Sequence, residues 1–326
     1  MPSGKIRYFA SAAAALALLL AGGAEAATAA RPLQKTKLTV PAKSLTFFPY
    51  YFGRDRRVFE DEGLELEIIV MRPPLGVTAL QAGELDYSAA ASLAMRAALK
   101  GAPLRTLMFI QTRLSFSLLG QPGMTPQKIS KVGVSGLGSL AHYAALTVMK
   151  KIGRDGPGDK VTYITTNTTA QSYAALVSKA VDATILSPPY TSMATLAGYA
   201  DLGNAFDVRD FQGGLSTRLD HLQQKPEQAK AMIRAVLKSL DFIVKHESEV
   251  VKYLQKEFGL DARVAAESYK IIKQVLNTDG DVEEPVLRSV VESMKKDAQM
   301  TADVPLDRVA DLSLLREVKT EQQGRK

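Results

Sequence analysis

Two stretches of the chain carry nearly the same phrase. The first is Ala79-Leu80-Gln81-Ala82-Gly83-Glu84-Leu85-Asp86 and the second is Ala175-Leu176-Val177-Ser178-Lys179-Ala180-Val181-Asp182. Each reads as the end of a helix, a tight turn, an acid, and then a short strand stopping at small or polar residues. After the first phrase that strand is Tyr87-Ser88-Ala89-Ala90-Ala91-Ser92; after the second it is Ala183-Thr184-Ile185-Leu186-Ser187-Pro188-Pro189-Tyr190. A single repeat at this separation implies two similar α/β lobes, because a solenoid needs at least three shorter repeats. Two lobes enclose a cleft, and a cleft takes a small molecule.

The residues around the phrases agree. Residues 37–42 predict a first strand, 48–62 a helix ending at Gly63, and 64–71 a second strand broken by Pro73-Pro74. A short helix over 75–81, a strand over 87–91, a helix over 92–100 and a strand over 104–111 follow. The order then restarts, with strands over 131–134, 161–165 and 182–186 and helices over 140–152 and 169–178. Strands alternating with helices at this spacing predict βαβ units and mainly parallel sheets. From Lys225 onward the pattern is helical: Ala229, Met232, Ile233, Val236, Leu237, Leu240, Ile243 and Val244 recur at three-and-four spacing. Helices over 262–276 and 283–296 complete it, expected to pack on the first lobe, and the polar residues 319–326 read as frayed. The expected divisions are a leader over 1–26, the first lobe over 31–119, the second lobe over 120–212, and a return to the first lobe over 213–326.

The leader reading rests on Lys5 and Arg7, an apolar run over 9–20, the break at Gly22-Gly23, and the pattern Ala24-Glu25-Ala26, with Ala29 closing a second cleavage option. That is a secretory signal peptide, too short for a membrane span, and it predicts a periplasmic protein. The absence of cysteine excludes disulfides, thiol catalysis and cysteine-bound zinc. The net charge of +7 is spread in isolated pairs such as Lys150-Lys151. Solvated helix faces explain it better than a nucleic-acid surface, and a mild positive field favours an anionic ligand.

No catalytic set is visible. His142, His221 and His246 have no partners at triad or metal-ligand spacing, and no cofactor motif is complete. Gly136-Leu137-Gly138-Ser139-Leu140-Ala141 fits a dinucleotide turn, but the next strand ends Thr165-Thr166-Asn167 with no carboxylate for a ribose. The amides of Gly138, Ser139 and Leu140 at a helix start, with the Ser139 hydroxyl, suit an anion; plain capping by Ser139 explains the same residues. Ligands of open α/β sheets lie beyond the carboxyl ends of the strands. Those ends supply Ser44, Thr46, Phe47, Phe48, Ala91, Ser92, Gln111 and Arg113 in the first lobe. In the second lobe they supply Gly138, Ser139, Leu140, Asn167, Ser187, Pro188 and Tyr190. Phe47 and Phe48 either stack on a planar ligand or fill the core, and Arg113 either pairs with an anion or forms a structural ion pair.

Phe48-Pro49-Tyr50-Tyr51-Phe52-Gly53, the run from Phe59 through Gly63-Leu64-Glu65-Leu66-Glu67, the first repeated phrase, its second-lobe echo and Gly213-Gly214-Leu215-Ser216-Thr217 together resemble the periplasmic solute-binding proteins of the nitrate/sulfonate/taurine class of ABC importers. The resemblance spans roughly residues 36–245. It implies an α/β chain of the type II periplasmic-binding-protein fold: two lobes, two crossovers and one ligand in the cleft. It implies a monomeric, non-catalytic receptor without cofactor or metal, which captures a small organic anion (sulfonate, carboxylate or aromatic acid) and meets an ABC permease transiently. The second phrase departs from the pattern, with Lys179 or Ala180 where a glycine is usual. A related pyrimidine synthase needs a cysteine-rich segment that this chain lacks. The rival readings are an exported enzyme or a ligand-sensing subunit on the same fold.

Overall fold

The computed structural model describes residues 32–324; the expected leader and its cleavage options at Ala26 and Ala29 lie outside the described residues. From Gln34 onward the chain forms one unit that holds two five-stranded sheets. The first half runs β1 (Gln34–Val40), α1 (Phe48–Asp55), α2 (Val58–Asp61), β2 (Leu64–Val70), α3 (Pro73–Ala82), β3 (Tyr87–Ser88), α4 (Ala91–Leu99) and β4 (Leu104–Arg113). The chain then crosses over to β5 (Ser117–Gly120), β6 (Lys131–Val134), α5 (Leu140–Lys151), β7 (Thr162–Thr165), α6 (Thr169–Val177), β8 (Ala183–Leu186), α7 (Tyr190–Leu196) and β9 (Ala200–Asn204). It returns through β10 (Arg209–Arg218) to α8 (Leu219–Gln224), α9 (Pro226–Lys245), α10 (Glu247–Phe258), α11 (Ala262–Val275), α12 (Glu284–Asp297) and α13 (Ser313–Gln323).

The sheet orders are β2-β1-β3-β10-β4 and β7-β6-β8-β5-β9. The first three strands of each are parallel, and the fourth, antiparallel to its neighbour, arrives from the other lobe by a crossover. Sheet membership changes between Arg113 and Ser117 and again between Asn204 and Arg209, ahead of the divisions expected at 120 and 213. The two crossovers run side by side, with Leu114 N donating to Val208 O at 3.1 Å and Ala205 N to Phe116 O at 2.9 Å.

The repeated phrase is repeated in three dimensions. Asp86 Oδ2 accepts from the Lys37 amide at 2.8 Å, and Asp182 Oδ2 accepts from the Lys131 amide at 2.8 Å. In β1 and β3 Leu38 lies beside Tyr87; in β6 and β8 Val132 lies beside Ala183. Both turns close the same way: Gly83 N to Leu80 O and Glu84 N to Ala79 O in one, Lys179 N to Leu176 O and Ala180 N to Ala175 O in the other. Gly83 holds φ 82° and Lys179 holds φ 61°. The departure at Lys179 therefore leaves the turn intact, with a side chain in the left-handed region that glycine tolerates best. Lys179→Gly is expected to raise stability by about 0.5–1 kcal/mol, read as a higher urea midpoint at unchanged slope.

The spacing of α9 is realised as a stripe: Met232, Ile233, Val236 and Leu240 are buried against Leu38, Val40 and Leu64 of the first sheet. The second lobe packs α5, through Ala141, Ala144, Ala145 and Val148, on Val132, Val134 and Ile185. Among the C-terminal helices, α12 and α13 pack on the first lobe as expected. Helix α11 also reaches the second, where Ser268 Oγ donates to Ser192 Oγ of α7 at 2.9 Å. The helix expected over 48–62 is two helices, interrupted at Arg57, whose φ is 59°. The tail is less frayed than expected: α13 continues to Gln323, anchored by buried Leu315 and Val318.

Candidate functional site

Two helices, one from each lobe, begin at the same cavity of about 770 Å³. Helix α4 contributes Ser92 and Leu93 from its first turn, and the start of α5 contributes Gly138, Ser139 and Leu140. The crossover returning to the first lobe closes one side with Val208, Arg209 and Asp210, and α12 closes another. First-turn amides have no acceptor within their own helix, and the aligned peptide dipoles leave partial positive charge there. Two such ends on one cavity make a place for an anionic group. Leu140, Tyr143 and Leu146 of α5 and Met294 of α12 give the same cavity apolar surface.

The start of α5 shows which donors are free. The Ser139 hydroxyl accepts from the His142 amide at 3.2 Å, so it caps the helix. Its own proton points either to Ser135 Oγ, 3.3 Å away, or to a ligand. The Gly138 amide is taken by His142 Nδ1 at 3.0 Å, and the Ser139 amide by Gly136 O at 3.2 Å. Of the three amides expected to hold an anion, that of Leu140 is left, joined by the Ala141 amide of the same first turn. Gly138, at φ 74°, is what lets the loop turn tightly enough to bring His142 onto it.

Ser92, Gly138, Ser139 and Leu140 are thus brought together, and the other expected residues lie outside this cavity wall. Phe48 is fully buried among Leu45, Phe52, Ile243 and Tyr269, and Phe47 is buried in the main core of the first lobe. The stacking alternative for both rings gives way to the packing one. Ala91 is fully buried and supports α4 from beneath. Gln111 is buried, with its amide nitrogen committed to Arg113 O at 2.9 Å and Gln212 Oε1 at 3.1 Å, so it ties the crossovers together. Arg113 is exposed at the end of β4, and its charge acts on Asp207. Ser44 and Thr46 are half-buried in the β1–α1 loop, and Asn167 is exposed after β7. Ser187 and buried Pro188 precede α7, and the Tyr190 ring tilts against Tyr173 with centroids 5.7 Å apart.

Arg96, His142, Asp210, Ser289 and Ser293 line the cavity and were not among the expected ligand contacts; His142 was read from the sequence only as a histidine without partners. Arg96 follows Ser92 at i+4, and His142 follows Ser139 at i+3, spacings that share a helix face. The α12 residues have no such local signal, because only the tertiary fold lays that helix across the cleft. A second cavity, of about 430 Å³, lies on the outer face of the first lobe. Its charges satisfy one another, Arg234 and Lys238 on Glu62 at 2.6 Å each and Lys230 on Glu317 and Glu321, leaving nothing for a ligand.

Two α/β lobes joined by paired crossovers, with helix starts from both lobes meeting at one cavity, define a two-lobed ligand-binding architecture. The family model described as NMT1/THI5 like matches residues 44–250, and the chain belongs to that family. No curated protein matches the sequence. Among solved structures, the chain is similar to the alkanesulfonate-binding protein SsuA of Xanthomonas axonopodis pv. citri bound to MOPS. The identity is 16%, the TM-score 0.65, and the match covers 86% of this chain and 98% of that one. It is similar to the periplasmic aliphatic sulphonate-binding protein SsuA of Escherichia coli at 15% identity and TM-score 0.65, over 85% of this chain and 91% of that one. It is also similar to the periplasmic nitrate-binding protein NrtA of Synechocystis PCC 6803 at 13% identity and TM-score 0.64, over 89% of each chain. The shared fold is that of the periplasmic binding proteins, as the resemblance implied.

Proposed function

We propose that this protein is the periplasmic solute receptor of an ABC importer and captures a small organic anion between its lobes. The observation that carries the reading is the convergence of the α4 and α5 starts on one cavity. The sulfonate- and nitrate-binding structures named above support it, since they share this fold. Leu140, Tyr143, Leu146 and Met294 add apolar surface that suits an organic body better than a bare inorganic ion. The ligand shifts the two-lobe ensemble by touching both lobes, and a permease then reads the closed form. The receptor acts as a monomer, exported by its leader, and contacts the permease transiently.

Native mass spectrometry of the protein recovered from its own host tests this. One small organic acid per chain is the expected result; chains that carry none, together with no thermal shift across sulfonates, carboxylates and pyrimidines, contradict it. Substitution separates the site from its surroundings. Ser139→Gly keeps most of the capping stability, losing only a few tenths of a kcal/mol, while affinity for the acid falls by about 1 kcal/mol through loss of the hydroxyl. Arg113→Ala leaves affinity within about 0.5 kcal/mol, because the side chain is exposed and away from the cavity. Isothermal titration reads both.

A further inference from the structure

The lobes also touch away from the cavity. Helix α11 has two buried faces. Ala265, Tyr269 and Ile272 pack into the first lobe among Phe48, Phe52 and Ile243. Val264, Ser268, Ile271 and Val275 form the other face, at i, i+4, i+7 and i+11. From that face Ser268 Oγ donates to Ser192 Oγ of α7 at 2.9 Å, with both side chains fully buried.

This join and the cavity lie on opposite sides of the sheets. In the second sheet Leu118 and Ile185 pack with α5, and their neighbours Leu119 and Leu186 pack with α6 and α7. In the first sheet Phe109 packs with α4 and α12, and its neighbours Met108 and Ile110 pack with α9 and α13. Helix α11 is on the α9 side, through Tyr269 and Ile243. Helices α4, α12 and α5 thus wall the cavity from one side, and α11 meets α7 on the other, with the paired crossovers between. A rotation about the crossovers that brings α5 toward α4 and α12 draws α7 away from α11. The join is also finely balanced. Its hydroxyl pair is bonded inside a closed apolar seam, where such a bond is strong. The hydroxyl of Thr191, beside Ser192, is buried there with no hydrogen-bond partner among the described residues. Parting the helices returns all three hydroxyls to water, so the join resists closure only weakly.

We propose that Ser192 and Ser268 are positioning residues for binding: their contact latches the lobes with the cavity open, so affinity is set in part by a pair that never touches the ligand. A ligand must outweigh the latch to hold the lobes closed, and a weaker latch leaves more of the closing to the protein itself. The consequence for affinity rests on the receptor reading; the latch itself does not.

The chain has no cysteine, so spin labels can be placed without background. Lys150→Cys on α5 and Lys296→Cys on α12 are exposed positions on helices from opposite walls of the cavity. Pulsed electron–electron resonance of the labelled pair reads the distance between them with no compound added. Ser192→Ala and Ser268→Ala are each expected to raise the share of the shorter distance about five-fold, the effect of one lost hydrogen bond that leaves a buried hydroxyl alone. Ser192→Ala/Ser268→Ala removes both hydroxyls and keeps an apolar contact. It is expected to return to within about two-fold of the labelled parent. Isothermal titration with benzoate, benzenesulfonate, hexanoate and hexanesulfonate should follow the same order. Each single variant binds about five-fold more tightly than the wild type although it unfolds at lower urea, and the double variant binds as the wild type does. A merely structural pair would lower stability without tightening binding.

Unchanged or longer distances in both single variants overturn the latch, and if a probe still binds the wild type the receptor reading stands. Distances that shift as expected while no probe binds any variant support the latch and count against the receptor reading.

Discussion

Phe48→Ala is expected to lower the unfolding free energy by about 3–5 kcal/mol, among the largest effects of any single truncation in this chain. The ring is completely buried, edge-on to Phe52 with centroids 6.4 Å apart. It is enclosed by Leu45, Ile243, Leu254, Tyr269 and Ile272 from α9, α10, α11 and the β1–α1 loop. Removing it opens a void where segments distant in sequence meet, so the surrounding elements cannot close over it without moving one another. Chemical denaturation followed by circular dichroism measures the loss. The folded fraction should keep its affinity for the ligand within about three-fold, because the ring lies outside the cavity wall. Intact stability with lost affinity would return Phe48 to the binding site.

Gly214→Ala is expected to cost about 3 kcal/mol through overpacking, and unlike Phe48→Ala it should weaken binding as well. Gly214 lies opposite Phe109 of β4, donates its amide to Ala89 O at 2.9 Å, and accepts the Tyr50 hydroxyl on its carbonyl oxygen. An added Cβ would press into the Met108 carbonyl oxygen and stand 2.8 Å from the Ala91 Cβ. Neither obstacle is the end of a flexible side chain. One is backbone of β4, hydrogen-bonded along its length to β10, and the other is the first residue of α4. Relief therefore lifts the start of α4, and Ser92 is the next residue along. Gly213→Ala is the matched control. Its added Cβ stands 2.8 Å from the Ile110 Cγ1, a side-chain atom that is neither backbone nor part of α4, so the penalty should be smaller and affinity unchanged. Equal behaviour of the two variants would break the link between β10 and the start of α4.

Local patterns in the sequence explain the parts of this structure that depend on local patterns. The repeated phrase located both lobes because each copy is a self-contained βα turn whose acid binds the first strand of its own sheet, Asp86 on Lys37 and Asp182 on Lys131. The periodicity of α9 was legible for the same reason. Of the antiparallel strands, β4 was expected over 104–111, whereas β5, β9 and β10 were not. Strand β5 follows β4 with only Leu114, Ser115 and Phe116 between them, a buried apolar passage without turn punctuation, so the change of sheet leaves no mark in the residues. Strand β10 is interrupted by Gly213-Gly214, whose lack of side chains hides the alternation although the close packing there requires it.

At the candidate site, the strand-end rule picked out the two helix starts, Ser92 and Ser139 with their neighbours, which line the cavity, because those positions follow from topology alone. It also picked out Phe47, Phe48, Gln111 and Arg113, which share the strand ends but lie in core, crossover or surface, outside the cavity wall. It missed Asp210 and the α12 face, since which helix crosses the cleft is decided by long-range packing of Phe109, Phe211, Leu287 and Val291.

We propose that an organic acid binds between the lobes at the starts of α4 and α5. Isothermal titration of the wild-type chain and of Ser139→Gly, against a panel of carboxylates and sulfonates, tests it most directly. One molecule is expected to bind per chain, with a dissociation constant of about 10 μM or tighter for at least one member, and binding by Ser139→Gly is expected to be clearly weaker. No heat of binding from any member, or a tight binder indifferent to Ser139→Gly, would contradict it.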